Sequence, residues 1–371
     1  MPKIRILIVD DSVVIRRLLS DELSKDPDLE IVGTAATGKI GLAKIPQVNP
    51  DIVTMDIEMP EMDGLEAVRE IRKVYAKLPI IMFSTLSQRA ARETLEALSR
   101  GANDYVTKPA NVGSASIAMQ RVRDELIPKI KHLCPGLGSV PVPPSPPRDR
   151  VVSPPAAVTK DESATPSPVE IVAIGVSTGG PNALSDLFDA LPKDLPVPIV
   201  IVQHMPPVFT KCLADRLTAK GKIVVHEGAS GITLVPGHAL LAPGDYHMIV
   251  TQQGTQVEID LNQAPPENSC RPAVDVLFRS VAQVFGGRTL GVILTGMGED
   301  GLRGCQLLKE KGAQILAQDE ASSVVWGMPG AVTEAGLADQ VLPLNLMANA
   351  IVSRVQKGRM AQPVLEPALS R

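Results

Sequence analysis

The chain has 371 residues, 44% of them hydrophobic, and a formal net charge of -4: enough for two or three globular domains, with no basic field or later helix-turn-helix pattern to hold nucleic acid. Its four cysteines, Cys134, Cys212, Cys270 and Cys305, lack any CxxC spacing, which speaks against a zinc site or a disulfide framework and for free thiols in a reducing compartment. The apolar start Ile4 to Val9 is too short for a signal-peptide core, and no run approaches the roughly 18 residues of a membrane span, so a cytoplasmic protein without direct membrane insertion is expected.

In residues 1–130, short apolar runs alternate with amphipathic stretches. Ile4 to Val9, Ile31 to Ala35, Ile52 to Met55, Ile80 to Phe83 and Tyr105 to Val106 read as strands, while Ser12 to Leu23 and Gly64 to Val74 read as helices. Such alternation predicts an α/β domain with a doubly wound parallel sheet. Functional groups in such sheets sit beyond the carboxyl ends of the strands, where Asp10 and Asp11 follow the first run and Asp56 the third. Three carboxylates in one pocket repel unless a hard cation such as Mg²⁺ satisfies them. Ser84 ends the fourth run and Lys108 the fifth. The set suits an aspartyl phosphate: Asp56 as the phosphorylated nucleophile, Asp10 and Asp11 holding the metal, Lys108 pairing with phosphate oxygens and Ser84 registering their arrival. Singly, Asp10 and Asp11 read as caps of the first helix and Lys108 as a surface charge; their conjunction favours the site.

ILIVDDS, MDIEMPEMDG around Asp56, MFST at Ser84 and DYVTKPA at Lys108 resemble the receiver domain of two-component response regulators, a flavodoxin-like fold, over nearly all of residues 1–130. The resemblance implies that Tyr105 is the aromatic switch residue, that the Glu58 carbonyl is a further metal contact, and that a histidine kinase is the phosphodonor.

Residues 131–168 are dense in proline, with Pro141, Pro143, Pro144, Pro146 and Pro147 within seven positions. Proline fixes φ and removes backbone donors, so an extended linker is expected; a docking peptide for an SH3-like partner is the alternative.

Residues 169–357 resume the α/β grammar, and 358–371 form a short tail. Three runs each end at one member of a hydrolase set: Ile171 to Val176 before Ser177, Ile199 to Gln203 before His204, and Leu290 to Thr295 ahead of Asp300. Continuous Ile, Val and Leu runs read as strands buried on both faces, which would bring the three groups to one edge. Between them, the segments around Ile223 to Val225, Ala239 to Leu241, His247 to Val250 and Gln256 to Leu261 read as shorter strands, with a β-hairpin inserted beside the main sheet. The GVSTGGP turn at Ser177 fits a nucleophile on a strand-to-helix turn, a phosphate loop or a plain helix start; neither the Walker pattern nor GxGxxG is matched. A serine needs an imidazole to take its proton and the imidazole needs a carboxylate to orient it, so His204 and Asp300 weight the reading towards catalysis without a cofactor. The glycine-rich turn before Asp300 offers the Met297 amide for an oxyanion hole. His132, His226, His238 and His247 read as surface or satisfied core histidines. Arg271 reads equally as a substrate-positioning charge or a binder of local carbonyls, Met328 as pocket wall or core, and Trp326 as lining the cleft or filling the interdomain surface.

GVSTGGP, VQHMPP at His204, CRPAVDVLF, LTGMGEDG at Asp300 and SVVWGMPGA resemble the catalytic domain of the chemotaxis protein-glutamate methylesterase family, a Rossmann-like domain, from about Val169 to Ile351. With the receiver, the resemblance extends along almost the whole chain. It implies a phosphorylation-activated serine esterase that hydrolyses glutamate γ-methyl esters on chemoreceptor cytoplasmic helices and releases methanol, often with glutamine deamidation. It aligns Ser177, His204 and Asp300 with the family's triad, and Thr178 with its neighbouring hydroxyl. A non-enzymatic adaptor and a hydrolase of other esters or amides remain the alternatives. As a hypothesis, the unphosphorylated receiver packs over the strand-end edge of the second domain.

Overall fold

The computed structural model describes residues 2–108, 120, 122–137 and 167–357; residues 138–166 of the proline-rich stretch and the tail beyond Lys357 lie outside them. The first unit is a five-stranded parallel sheet of β1 (Ile4–Val9), β2 (Leu29–Ala35), β3 (Ile52–Asp56), β4 (Ile80–Ser84) and β5 (Asp104–Thr107), ordered β2-β1-β3-β4-β5. The intervening helices are α1 (Val13–Leu23), α2 (Gly38–Val48), α3 (Gly64–Val74) and α4 (Gln88–Ser99), and a π-helical turn at Val122–Leu126 leads into α5 (Ile127–Leu133). The α3 span is that read from the sequence because its limits are chemical: Asp63 accepts a bond from the Glu66 amide at the start, and Arg72 and Lys73 face the carbonyl end. Ser12, rather than Asp10 or Asp11, caps α1, accepting from the Ile15 amide at 3.4 Å. The aspartates are thereby left to the pocket.

The second unit is a seven-stranded parallel sheet of β6 (Ile171–Val176), β7 (Ile199–Gln203), β8 (Val224–Glu227), β9 (His238–Leu241), β12 (Thr289–Ile293), β13 (Gln314–Gln318) and β14 (Gln340–Leu342), ordered β14-β13-β12-β6-β7-β9-β8. An antiparallel hairpin of β10 (His247–Gln253) and β11 (Gln256–Asn262) stands beside it as a separate two-stranded sheet. Its helices are α6 (Gly180–Ala190), α7 (Phe209–Lys220), α8 (Val274–Val284), α9 (Leu302–Glu310), α10 (Met328–Glu334) and α11 (Leu344–Lys357). The β12 run stops at Ile293: Leu294 still donates its amide to Gly175, but the Thr295 amide turns to Gln318 Oε1. β6, β7 and β12 are buried at every position, as strands covered by helices on both faces must be.

The two units are in contact. One apolar cluster runs from Val53, Ile80 and Ala91 in the first to Leu184, Phe209 and Leu213 in the second. Burying Phe209 completely contributes on the order of 1.5–3 kcal/mol. Polar bonds flank the contact: Asn182 donates to the Leu98 carbonyl at 2.8 Å and Arg216 to the Leu95 carbonyl at 2.6 Å. Helix α4 and strand β5 of the first sheet thus lie against α6 and α7, the helices that follow β6 and β7.

Candidate functional sites at two strand-end edges

At the first edge, carboxylate oxygens of Asp10, Asp11 and Asp56 lie within 4.8 Å of one another, with Asp10 and Asp56 buried and Asp11 exposed. Lys108 Nζ bridges Asp10 Oδ2 at 2.9 Å and Asp56 Oδ2 at 2.7 Å. One cation does not satisfy the group: burial, and then repulsion from Asp10, pushes Asp56 up to about 6 despite Lys108, and burial raises Asp10 as well. A cluster of hard oxygens short of positive charge suits a small divalent cation such as Mg²⁺. Asp11 and Glu58 share the lining of an open cleft of about 510 Å³ beside it; the Glu58 side chain points to solvent and pairs with Arg89 at 3.8 Å.

Among the described residues neither Ser84 nor Tyr105 bonds to this cluster. The Ser84 hydroxyl accepts from Thr94 Oγ1 at 2.8 Å, within α4. Tyr105 is buried and stacks on Phe209 of α7, ring centroids 4.8 Å apart and planes 3° from parallel. Neighbouring Asp104 accepts from Lys129 at 2.8 Å and, across the interface, from Thr178 Oγ1 at 3.0 Å. The first unit therefore touches the residue immediately after Ser177.

At the second edge, Ser177, His204 and Asp300 follow β6, β7 and β12, the three central strands of the sheet. Pairing of Val176 with Gln203, and the bond from the His204 amide to the Val176 carbonyl at 3.2 Å, puts Ser177 and His204 at adjacent strand ends. Buried Gln203 ties the two backbones together, its Nε2 donating to the Ser177 carbonyl at 2.9 Å and the His204 carbonyl at 3.3 Å. Ser177 caps nothing: α6 starts after Gly179, whose φ of 78° needs a glycine, with Pro181 in the first turn. Gly296 lets the two loops approach, since a Cβ there would meet Met328 Sδ at 2.4 Å and Ser177 Cβ at 2.9 Å. Among the described residues the amides of Thr178, Gly179 and Met297 have no acceptor, which leaves them available to an anionic oxygen.

His204 Nε2 meets Asp300 Oδ2 at 2.7 Å, and its Nδ1 faces Cys270 Sγ at 3.5 Å. No hydrogen bond joins Ser177 Oγ to the ring among the described residues. Burial works against the imidazolium, but Cys270 and Asp300 outweigh it and lift the ring to about 10; the Cys270 attraction exists only while the sulfur is ionised. Asp300 is fully engaged. It accepts from the Val274 amide at 2.6 Å, the Asp275 amide at 3.0 Å and Asn268 Nδ2 at 2.8 Å. Burial pushes against its charge, yet His204 and these amides hold its pKa below the usual value.

The other candidates resolve differently. Arg271 binds Asp245 at 2.6 Å and the Gln263 and Ala264 carbonyls at 3.2 and 3.0 Å, a local anchor for the loop before α8. His247 is a satisfied core histidine between Pro265 and Ala273. Met328 is core, and Trp326 donates to the Gln318 carbonyl at 3.1 Å. Sequence reasoning missed Asn268, whose amide spans Asp300 and, at 2.9 Å, Asp275; its signal, an asparagine in a turn, is common. It also missed Asp104 and Gln203, whose roles arise only from packing.

The profile of a family described as CheB methylesterase matches residues 172–351, and that of the response regulator receiver domain residues 6–117. The chain is 54% identical over 358 residues to a protein-glutamate methylesterase/protein-glutamine glutaminase of Trichodesmium erythraeum, covering 96% of this chain and 100% of that one. It is 53% identical over 371 residues to a like-named protein of Nocardioides sp., covering 99% of each. Among solved structures, the catalytic domain of Thermotoga maritima CheB methylesterase is 42% identical, covers 50% of this chain and 98% of its own, and superposes with a TM-score of 0.49.

Proposed function

The chain belongs to the protein-glutamate methylesterase/protein-glutamine glutaminase family, and from that premise we propose that it is a phosphorylation-controlled serine esterase acting on glutamate γ-methyl esters, and on selected glutamine side chains, of chemoreceptor cytoplasmic helices. In this reading residues 1–130 receive the phosphoryl group from a histidine kinase, 131–168 link, and 169–357 carry out hydrolysis with no cofactor of their own. The observation that carries it is the His204–Asp300 bond of 2.7 Å, set at the strand end next to the Ser177 turn.

The base is the neutral ring: the imidazolium favoured by Cys270 and Asp300 must first lose its Nδ1 proton, and with Nε2 donating to Asp300, Nδ1 is then the nitrogen left to accept one. Ser177 Oγ attacks the ester carbonyl as its proton passes to His204 Nδ1, a position for which the hydroxyl must displace the Cys270 contact. Amides of Thr178 and Met297 receive the tetrahedral oxyanion. Collapse expels the alkoxide, which takes the proton back from His204 and leaves as methanol; a water activated by the same ring then releases the glutamate. A glutamine side chain follows the same course with ammonia as the leaving group.

In the receiver, Asp56 takes the phosphoryl group and Lys108 pairs with its oxygens. Asp10, Asp11, Asp56 and the Glu58 carbonyl would hold Mg²⁺, which would supply the positive charge that the carboxylates and the phosphoryl oxygens need. The gate is supported by Asp104 holding Thr178 and by Tyr105 stacked on Phe209: rearrangement around phosphorylated Asp56 shifts Ser84 and Tyr105 and loosens α4 and β5 from α6 and α7. Methanol release from methylated receptor membranes tests both claims. Acetyl phosphate with Mg²⁺ is expected to raise the rate roughly 5- to 150-fold, the span of ordinary allosteric coupling. Equal rates would dismiss the gate, and no methanol under either condition would dismiss the esterase.

A further inference from the structure

The nitrogen that a serine proton must reach is faced in this structure by a sulfur. Cys270 Sγ lies 3.5 Å from His204 Nδ1, and Asp300 holds the far side of the same ring at 2.7 Å. Thiol, imidazole and carboxylate in series form the arrangement that raises thiolate character in cysteine hydrolases. The position is built rather than incidental. Glu267 to Cys270 form a tight turn closed by the Cys270 amide on the Glu267 carbonyl at 2.9 Å and the Glu267 amide on the Cys270 carbonyl at 3.1 Å. Its central residues Asn268 and Ser269 both have positive φ, 52° and 62°, the φ pattern of a type I′ turn, and Asn268 is pinned by Asp300 and Asp275.

The other cysteines lack these features. Cys134, Cys212 and Cys305 are buried, whereas Cys270 is partly exposed. Burial pushes the Cys134 thiol up to about 12 and the Cys305 thiol upward as well. Reactivity follows thiolate character and access together, and Cys270 alone among the four combines a basic neighbour with solvent.

We propose that Cys270 is an oxidation site for hydroperoxides, and that its modification switches the esterase off by occupying the ring face that Ser177 needs. In the step, His204 accepts the thiol proton and the sulfur attacks the terminal peroxide oxygen. The S–O bond forms as the O–O bond breaks, and the departing hydroxide or alkoxide takes the proton from His204. Sulfur is oxidised by two electrons to a sulfenic acid, and the peroxide is reduced to water or alcohol.

The inhibition rests on His204 serving as the esterase base, but oxidation itself does not, so the two are measured separately. The full chain is treated with hydrogen peroxide, sulfenic acid is trapped with dimedone and located by mass spectrometry, and methanol release is followed in parallel. The adduct is expected at Cys270 roughly tenfold or more faster than at the buried cysteines, and slowed to a similar extent by His204→Gln. Esterase activity should fall in step with the adduct and return with dithiothreitol. Cys270→Ala should keep its full untreated rate after the same peroxide treatment. Ser177→Ala should still form the adduct at the wild-type rate; if that variant also keeps its esterase, the catalytic reading fails while the oxidation site stands. Equal labelling of all four cysteines, unchanged labelling in His204→Gln, or an equal fractional loss in Cys270→Ala would each overturn the proposal.

Discussion

The two strand-end edges share one geometry and opposite electrostatics. At the first, Asp10, Asp11 and Asp56 converge with Lys108 bridging two of them, and burial and mutual repulsion raise Asp56 to about 6. At the second, Asp300 collects His204, Asn268 and two backbone amides and stays ionised. A site short of cationic partners suits a small divalent cation. A site with every acceptor filled holds its geometry while chemistry proceeds beside it.

The sharpest way to break this comparison is to remove the nucleophile assigned to the second edge. Ser177→Ala is expected to lower methanol release roughly 10⁴-fold or more, while labelling of Asp56 from acetyl phosphate proceeds as in wild type. Substantial surviving turnover would remove Ser177 from the mechanism. A smaller effect separates the first edge. Because the native state raises Asp56, its protonated form stabilises the fold; this contribution is full below about pH 4 and is lost as pH rises through about 6, amounting to about 3 kcal/mol in the absence of metal. Urea midpoints in EDTA should fall accordingly between pH 4 and 7, Asp56→Asn should flatten the profile, and Mg²⁺ should restore stability at pH 7. An unchanged slope in the variant would assign the effect elsewhere. The smallest effect concerns the contact between the edges. Phe209→Leu loses the Tyr105 stack, worth about 0.5–1.5 kcal/mol, and should raise the unphosphorylated esterase rate roughly 2- to 12-fold with little change in the phosphorylated rate. A basal rate equal to wild type would take that stack out of the gate.

Much of this was legible in the chain because long apolar runs and strand-end residues are local signals. β1, β7 and α3 fall where their patterns place them, and Ser177, His204 and Asp300 reach one edge because each follows a central strand. β13 and the edge strand β14 carry no comparable signal: Gln314–Gln318 holds only three apolar residues between two glutamines, and Gln340–Leu342 is three residues long. β8 and β9 were legible as strands but not as members of the main sheet, since pairing order is set by tertiary packing. The contacts of Asn268, Cys270, Gln203 and Asp104 join positions far apart in sequence, and a side chain's partner across such a gap leaves no periodicity to read. Tyr105 shows the limit from the other side. Its motif marks the residue, but only the packed units reveal that it rests on Phe209.

Placement of the three groups on β12, β6 and β7 puts two further strands on each side, β14 and β13 on one and β9 and β8 on the other. Sheets fray from their margins inward, so backbone amides of β8 and β14 should exchange with deuterium long before those beneath Ser177, His204 and Asp300. Transient loosening at the periphery then leaves these three groups in register, and their alignment is lost only when the whole layer opens.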